Sequence, residues 1–185
     1  MTRAEFCAFV RGHDNFVILT HRRPDGDTIG CASALCLGLR QLGKSAAVLR
    51  NEQFTPRFAA LLEGLVCEDA PADACVISTD IASEGLLSFD AVRLELTPVC
   101  AVDHHGSNSL ACPKLVEADK AACGEIVHAL LTELGVTVTK RIAECLHGDL
   151  HRHGLLQIFQ HECHHPLHRG VHRRRGGCVF INKVF

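Results

Sequence analysis

One histidine and two aspartates share a single short stretch, His21-Arg-Arg-Pro-Asp25-Gly-Asp27-Thr-Ile-Gly30. Hard divalent cations take oxygen ligands, and Mn²⁺ accepts imidazole as well, so this set suits a metal site. Pro24 and Gly26 stiffen and sharpen the chain here, which lets both carboxylates turn the same way. Taken alone, Asp-Gly-Asp is better explained as a solvated turn with helix-capping aspartates. Two further stretches argue against that reading. Asp80 follows the apolar run Ala74-Cys-Val-Ile-Ser78, and Asp103-His104-His105 follows Val99-Cys-Ala-Val102.

These residues need elements to place them. Asn15 to Thr20 reads as a buried strand, and Thr28 to Leu42 as a helix with Gly43 as its C-cap. Both carboxylates then fall in a strand-to-helix loop. Residues 3–11 suit a short amphipathic helix, Ser45 to Leu49 a second strand and Pro56 to Leu65 another helix. Ala121 to Leu134 has helical spacing closed by Gly135, and Lys140 to Cys145 opens one more helix. Short apolar runs alternating with helices predict an α/β fold, a mostly parallel sheet flanked by helices. In such sheets ligands bind at the carboxyl ends of the strands. His21, Asp25, Asp27, Asp80 and Asp103 to His105 would then converge on one edge, with donors enough for two metal ions.

Composition narrows the class. At 185 residues with 47% hydrophobic content and mean hydropathy +0.13, the chain is long enough for a real core. No apolar run is long enough to span a membrane, and Met-Thr-Arg-Ala-Glu opens no signal peptide. The 11 cysteines stand singly, many in apolar runs (Cys31, Cys36, Cys75, Cys100), as expected of small buried hydrophobes in a reducing cytoplasm. Charge is uneven: residues 146–185 carry six Lys/Arg against two Asp/Glu, a formal +4, leaving −6 for residues 1–145. An acidic front part binds phosphate poorly unless metal ions invert the local field.

The motifs resemble those of the DHH phosphoesterase family over roughly residues 10–145. His-x-x-Pro-Asp-Gly-Asp at 21–27 matches its first motif, Asp80 after a strand its second and Asp-His-His at 103–105 its third. Ala121-Ala-Cys-Gly-Glu125 is similar to the loop and helix start before its fourth. The His at 21 and the Pro-Asp-Gly-Asp-x-Ile-Gly continuation look most like the oligoribonuclease and adenosine bisphosphate phosphatase branch, the nano-RNases. The resemblance implies a Rossmann-like DHH domain and two Mn²⁺ ions. One ion would be held by His21, Asp25 and Asp80, the other by Asp27, Asp80 and His104. Asp103 would orient a neighbouring histidine, His105 would contact the scissile phosphate, and water activated between the ions would hydrolyse short RNA or a small nucleotide phosphate. Arg22, Arg23 and Glu125 are candidates for substrate binding. A solvated loop explains the two arginines better, and a helix N-terminus alone could explain Glu125. A homodimer is compatible with this reading. The alternatives are a cyclic-dinucleotide phosphodiesterase, an inorganic pyrophosphatase, and an inactive fragment or metal-binding module.

The chain departs from the family after Cys145. The fourth motif should bring an Asp within Thr-Asp-Thr-Gly, but the sequence reads Leu146-His-Gly-Asp149-Leu-His-Arg-His, rich in His and Arg and without periodicity. The family's second domain, which grips substrate, has no counterpart. Reading one nucleotide further along from Leu146 permits, with suitable codons, Thr-Asp-Thr-Gly followed by Cys-Phe. Residues 1–145 are therefore expected to be an incomplete DHH domain, and residues 146–185 an out-of-frame, poorly ordered tail. The second metal site would lack one carboxylate, and activity would be impaired. His161, Cys163, His164, His165 and His168 could instead bind zinc, but Cys-x-x-Cys spacing is absent.

Overall fold

A computed structural model describes residues 1–147. Asp149, the histidine-rich segment and the tail expected to be poorly ordered lie outside the described residues.

Helix α1 (Arg3–Gly12) opens the chain, closed at its start by a capping box in which Thr2 and Glu5 bond each other's backbone. Strand β1 (Phe16–Leu19) follows, then α2 (Gly26–Gln41) and β2 (Ala46–Leu49). A 3-10 turn at Pro56–Phe58 leads into the four-residue α3 (Ala59–Leu62), so the helix expected over 56–65 is a broken pair of turns. Strand β3 (Val66–Cys67), β4 (Cys75–Thr79), α4 (Phe89–Arg93), β5 (Cys100–Asp103) and β6 (Lys114–Val116) come next. The described chain ends with α5 (Cys123–Glu133) and α6 (Lys140–Leu146). β3, β6 and α4 were not expected from the sequence, because two to five residues are too few to show a period.

The six strands form one all-parallel sheet in the order β3-β2-β1-β4-β5-β6. From β1 the chain moves outward to β2 and β3, then returns to build β4, β5 and β6 on the other side. The order reverses between β1 and β4, the position where sheets of this kind bind ligands. Register places Leu19 beside Ser78, and Thr79 beside Val102. His21, Asp80 and Asp103 therefore leave the sheet at nearly the same level.

Both faces of the sheet are covered, which explains why its strands read as unbroken apolar runs. Phe16 and Ile18 point into the larger core beneath α1, α2, α5 and α6, while Val17 and Leu19 join a smaller cluster with Leu49, Val76, Ala91 and Leu110. At Gly30 of α2 a Cβ would lie 2.2 Å from the Cys145 carbonyl oxygen, so α6 seats directly on α2 where no side chain stands. All nine described cysteines are free thiols and seven are buried, as small apolar fillers would be. Among the described residues no helix is long and apolar enough to cross a membrane.

Candidate metal and phosphoester site

The loop after β1 is tighter than expected. Asp25 is the N-cap of α2, its Oδ1 accepting the N–H groups of Asp27 (3.1 Å) and Thr28 (3.3 Å). Asp27 is therefore not a loop residue but part of the first helical turn. Capping and cation binding do not compete here. The cap fixes a half-exposed carboxylate whose Oδ1 still lies 3.6 Å from His21 Nε2. His21 Nδ1 sits 2.8 Å from the Arg22 carbonyl, which can only accept, so Nδ1 carries the proton and Nε2 is left as the electron-pair donor.

Asp80 is the centre of the site. It directly follows β4, is only 5% exposed and adopts φ +58, a left-handed conformation that a side chain seldom takes without support. Its Oδ2 lies 3.8 Å from His21 Nε2, and its Oδ1 lies 3.6 Å from His104 Nε2 and 3.4 Å from His105 Nδ1. None of these has hydrogen-bond geometry, and Oδ1 is a buried oxygen without a hydrogen-bond partner. Burial, then the charges of Asp27, Asp103 and Asp25, push its carboxyl up to about 8, with His21 opposing. For His21, burial alone would lower the pKa. Asp25, the Arg22 carbonyl and Asp80 together outweigh burial and hold it above its ordinary value. The nearby His21 imidazole, helped by the Thr28 and Asp27 N–H groups, holds Asp25 below the usual carboxylate range, against the opposing effect of burial.

Asp27 is held differently. Its Oδ2 accepts the Cys123 N–H (2.8 Å), and its Oδ1 accepts the Gly124 N–H (3.0 Å) and the Cys31 thiol (3.2 Å). The N-terminus of α5 thus grips this carboxylate with its free N–H groups. His104 Nε2 stands 3.9 Å from Asp27 Oδ2, its other nitrogen lying 3.2 Å from the Lys120 carbonyl. Asp103 is fully buried. Its Oδ1 accepts from the backbone and ring nitrogens of His105 (3.1 and 2.8 Å), and its Oδ2 accepts from Asn108 Nδ2 at 2.6 Å.

Two groups thus offer donor atoms within 4.8 Å of one another: His21, Asp25 and Asp80, and Asp80, His104 and His105. Asp27 flanks the second group. A cation fits this set: carboxylate and imidazole donors converge, and a buried, unpartnered Asp80 oxygen faces into them. Arg22 and Arg23 are exposed beside it and border a pocket of about 280 Å³ with Gly85 and Leu86. Glu125 stands in the first turn of α5, where its Oε1 accepts the Ala121 N–H at 2.9 Å. Sequence reasoning missed Asn108 and Asn51. Each is a polar residue shortly after an apolar strand, which is the signal that marked Asp80.

Fold and site together define a parallel α/β protein with carboxylates and imidazoles gathered at the sheet's switch point. The chain belongs to the DHH family: residues 15–147 match the family's N-terminal domain. It is 32% identical over 136 residues to the bifunctional oligoribonuclease and PAP phosphatase NrnA of Thermus thermophilus, a match covering 68% of this chain and 39% of that protein. An exopolyphosphatase-related protein from Bacteroides fragilis shares the fold, with a TM-score of 0.67 and 18% identity, over 79% of this chain and 48% of that one. A putative family II inorganic pyrophosphatase from Methanococcus jannaschii does so with a TM-score of 0.51 and 18% identity, over 72% and 46%. The chain spans less than half the length of each of these proteins.

Proposed function

We propose that this chain carries the cation-binding half of a phosphoester hydrolase that acts on short oligoribonucleotides or small nucleotide phosphates. The observation that supports this most is the buried Asp80 oxygen without a hydrogen-bond partner, faced by two imidazoles and flanked by the His21–Asp25 pair. Carboxylate mixed with imidazole favours Mn²⁺. Bound divalent ions supply an acidified water as nucleophile and offset charge on the phosphate. The residues of this chain do the rest. His21, Asp25 and Asp80 hold one cation. Asp27, Asp80 and His104 hold a second. Asp103 fixes the Nδ1 proton of His105 and turns its other nitrogen to the substrate phosphate. Arg22 and Arg23 receive a further phosphate at the pocket they border, and Glu125 stays at the start of α5. The free thiols support a reducing cytoplasmic setting.

We further propose that residues 146–185 are read out of frame and that this chain is a weak enzyme or none. The second cation lacks the carboxylate that the fourth motif would bring, so it is held less tightly.

The test is turnover with Mn²⁺ of a dinucleotide, adenosine 3′,5′-bisphosphate, a cyclic dinucleotide and pyrophosphate. This chain and a frame-restored protein are assayed side by side, after sequencing the gene across residues 140–160. The expected result is hydrolysis of the dinucleotide or the bisphosphate, much slower for this chain. Preference for pyrophosphate or the cyclic dinucleotide would replace the substrate assignment. Equal rates for the two proteins would overturn the reading of the tail.

A further inference from the structure

Strand β2 sends no side chain into the metal site, yet the chain just past its end reaches the loop that carries His21. Asn51 is 2% exposed. Its Nδ2 donates to Thr20 Oγ1 and to the His21 carbonyl, both at 3.0 Å, and its Oδ1 accepts the Gln53 N–H at 3.0 Å. Gln53 Oε1 accepts the Arg23 N–H at 2.6 Å.

These bonds pin two successive peptide planes. In the plane joining His21 to Arg22, the carbonyl is held by Asn51 and the N–H donates to Leu86 O at 2.7 Å. In the plane joining Arg22 to Arg23, the carbonyl takes the His21 ring at Nδ1, and the N–H goes to Gln53. The His21 ring is therefore aimed by its own backbone, through the Arg22 carbonyl. Arg23, at φ +58, needs that support, because the left-handed region disfavours a long side chain. Loss of the Asn51 amide frees one edge of the first plane and leaves the half-buried His21 carbonyl without that donor.

We propose that Asn51 and Gln53 are positioning residues that clamp the His21 loop from the end of β2 and hold its Nε2 on the cation shared with Asp25 and Asp80. This rests on the reading of His21 as a cation ligand. A polar residue that only caps a strand would affect stability and nothing else.

Two readouts separate these cases, both on the full chain. The first is Mn²⁺ affinity, from the electron paramagnetic resonance signal of free Mn²⁺, for the unmutated protein, Asn51→Ala, Gln53→Ala and Thr2→Ala. Thr2→Ala removes the α1 cap, whose hydrogen bonds run only to Glu5, and controls for lost stability. Partners that orient metal ligands matter by about 10- to 100-fold in affinity, so Asn51→Ala should bind at least about tenfold more weakly, with Gln53→Ala weakened less and Thr2→Ala unchanged. The second readout is the ring-nitrogen chemical shifts of His21 in metal-free protein, which should lose the fixed Nδ1–H pattern in Asn51→Ala. Gln53 is exposed, so its truncation folds even if Asn51→Ala does not. Unchanged affinity together with unchanged His21 shifts in the clamp variants would overturn the proposal. If the unmutated protein binds no Mn²⁺, the cation reading of His21 fails, and with it the proposal's second half, while the shifts still decide whether the clamp aims the ring.

Discussion

Asp27 in the first turn of α2 accepts the backbone N–H of Cys123, 96 residues later, at 2.8 Å. With the Gly124 N–H on its other oxygen, the carboxylate joins the N-termini of α2 and α5 at one point. It is at once a candidate ligand and the tie between two helices. Burial and the neighbouring Cys123 push the Cys31 thiol well above its ordinary value, so it meets Asp27 as a neutral donor.

Asp27→Asn keeps the shape but replaces a charged acceptor and sets an NH₂ group against backbone N–H donors. Hydrogen bonds to charged groups contribute about 1.5–3 kcal/mol, so a loss of about that size is expected in urea unfolding. The same variant should bind the second equivalent of Mn²⁺ more weakly. Unchanged stability would show that the α5 contact contributes nothing.

Asp80 sets a pH dependence. Its folded pKa of about 8 lies above the ordinary 3.8, so the folded state holds a proton that the unfolded chain has already lost. Stability from this source is full below 3.8 and is lost as pH rises towards about 8. His21, also raised, adds a loss in the same direction above 6.5. Metal-free protein should therefore melt lower at pH 8.5 than at pH 6, and saturating Mn²⁺ should shrink the difference by replacing the proton. Asp80→Asn should flatten the metal-free profile and abolish cation binding. A flat profile in the unmutated protein would refute the argument.

Gly30→Ala tests the seat of α6. The added carbon meets a backbone carbonyl at 2.2 Å, and overpacking of this kind costs about 1–3 kcal/mol. Gly124→Ala finds its nearest neighbours at 3.6 Å, so it should cost less. Denaturation midpoints of the two variants give the comparison.

Arg22→Ala and Arg23→Ala should leave the melting temperature nearly unchanged, because both side chains are exposed. If they receive phosphate, KM for a nucleotide substrate rises while Mn²⁺ affinity stays the same. A fall in kcat without a change in KM would instead place them in the chemical step.

Much of this protein could be read directly from its sequence. Apolar runs ending in His21, Asp80 and Asp103 imposed a parallel sheet with its candidate ligands at one edge, because strands buried on both faces must be continuously apolar and their carboxyl ends must share a side. The motif spacing also carried the family. Tertiary structure alone decided which donors share a neighbourhood. That Asp27 is gripped by α5 and that His105 comes within 3.4 Å of Asp80 depend on helix packing and on the left-handed turn at Asp80, neither of which leaves a periodic trace. Asn51 and Asn108 stayed hidden for the same reason. The partner of Asn51, the His21 carbonyl, is brought to it by the pairing of β1 with β2, a property no single stretch encodes, whereas Asn108 reaches the Asp103 carboxylate five residues back through an irregular turn.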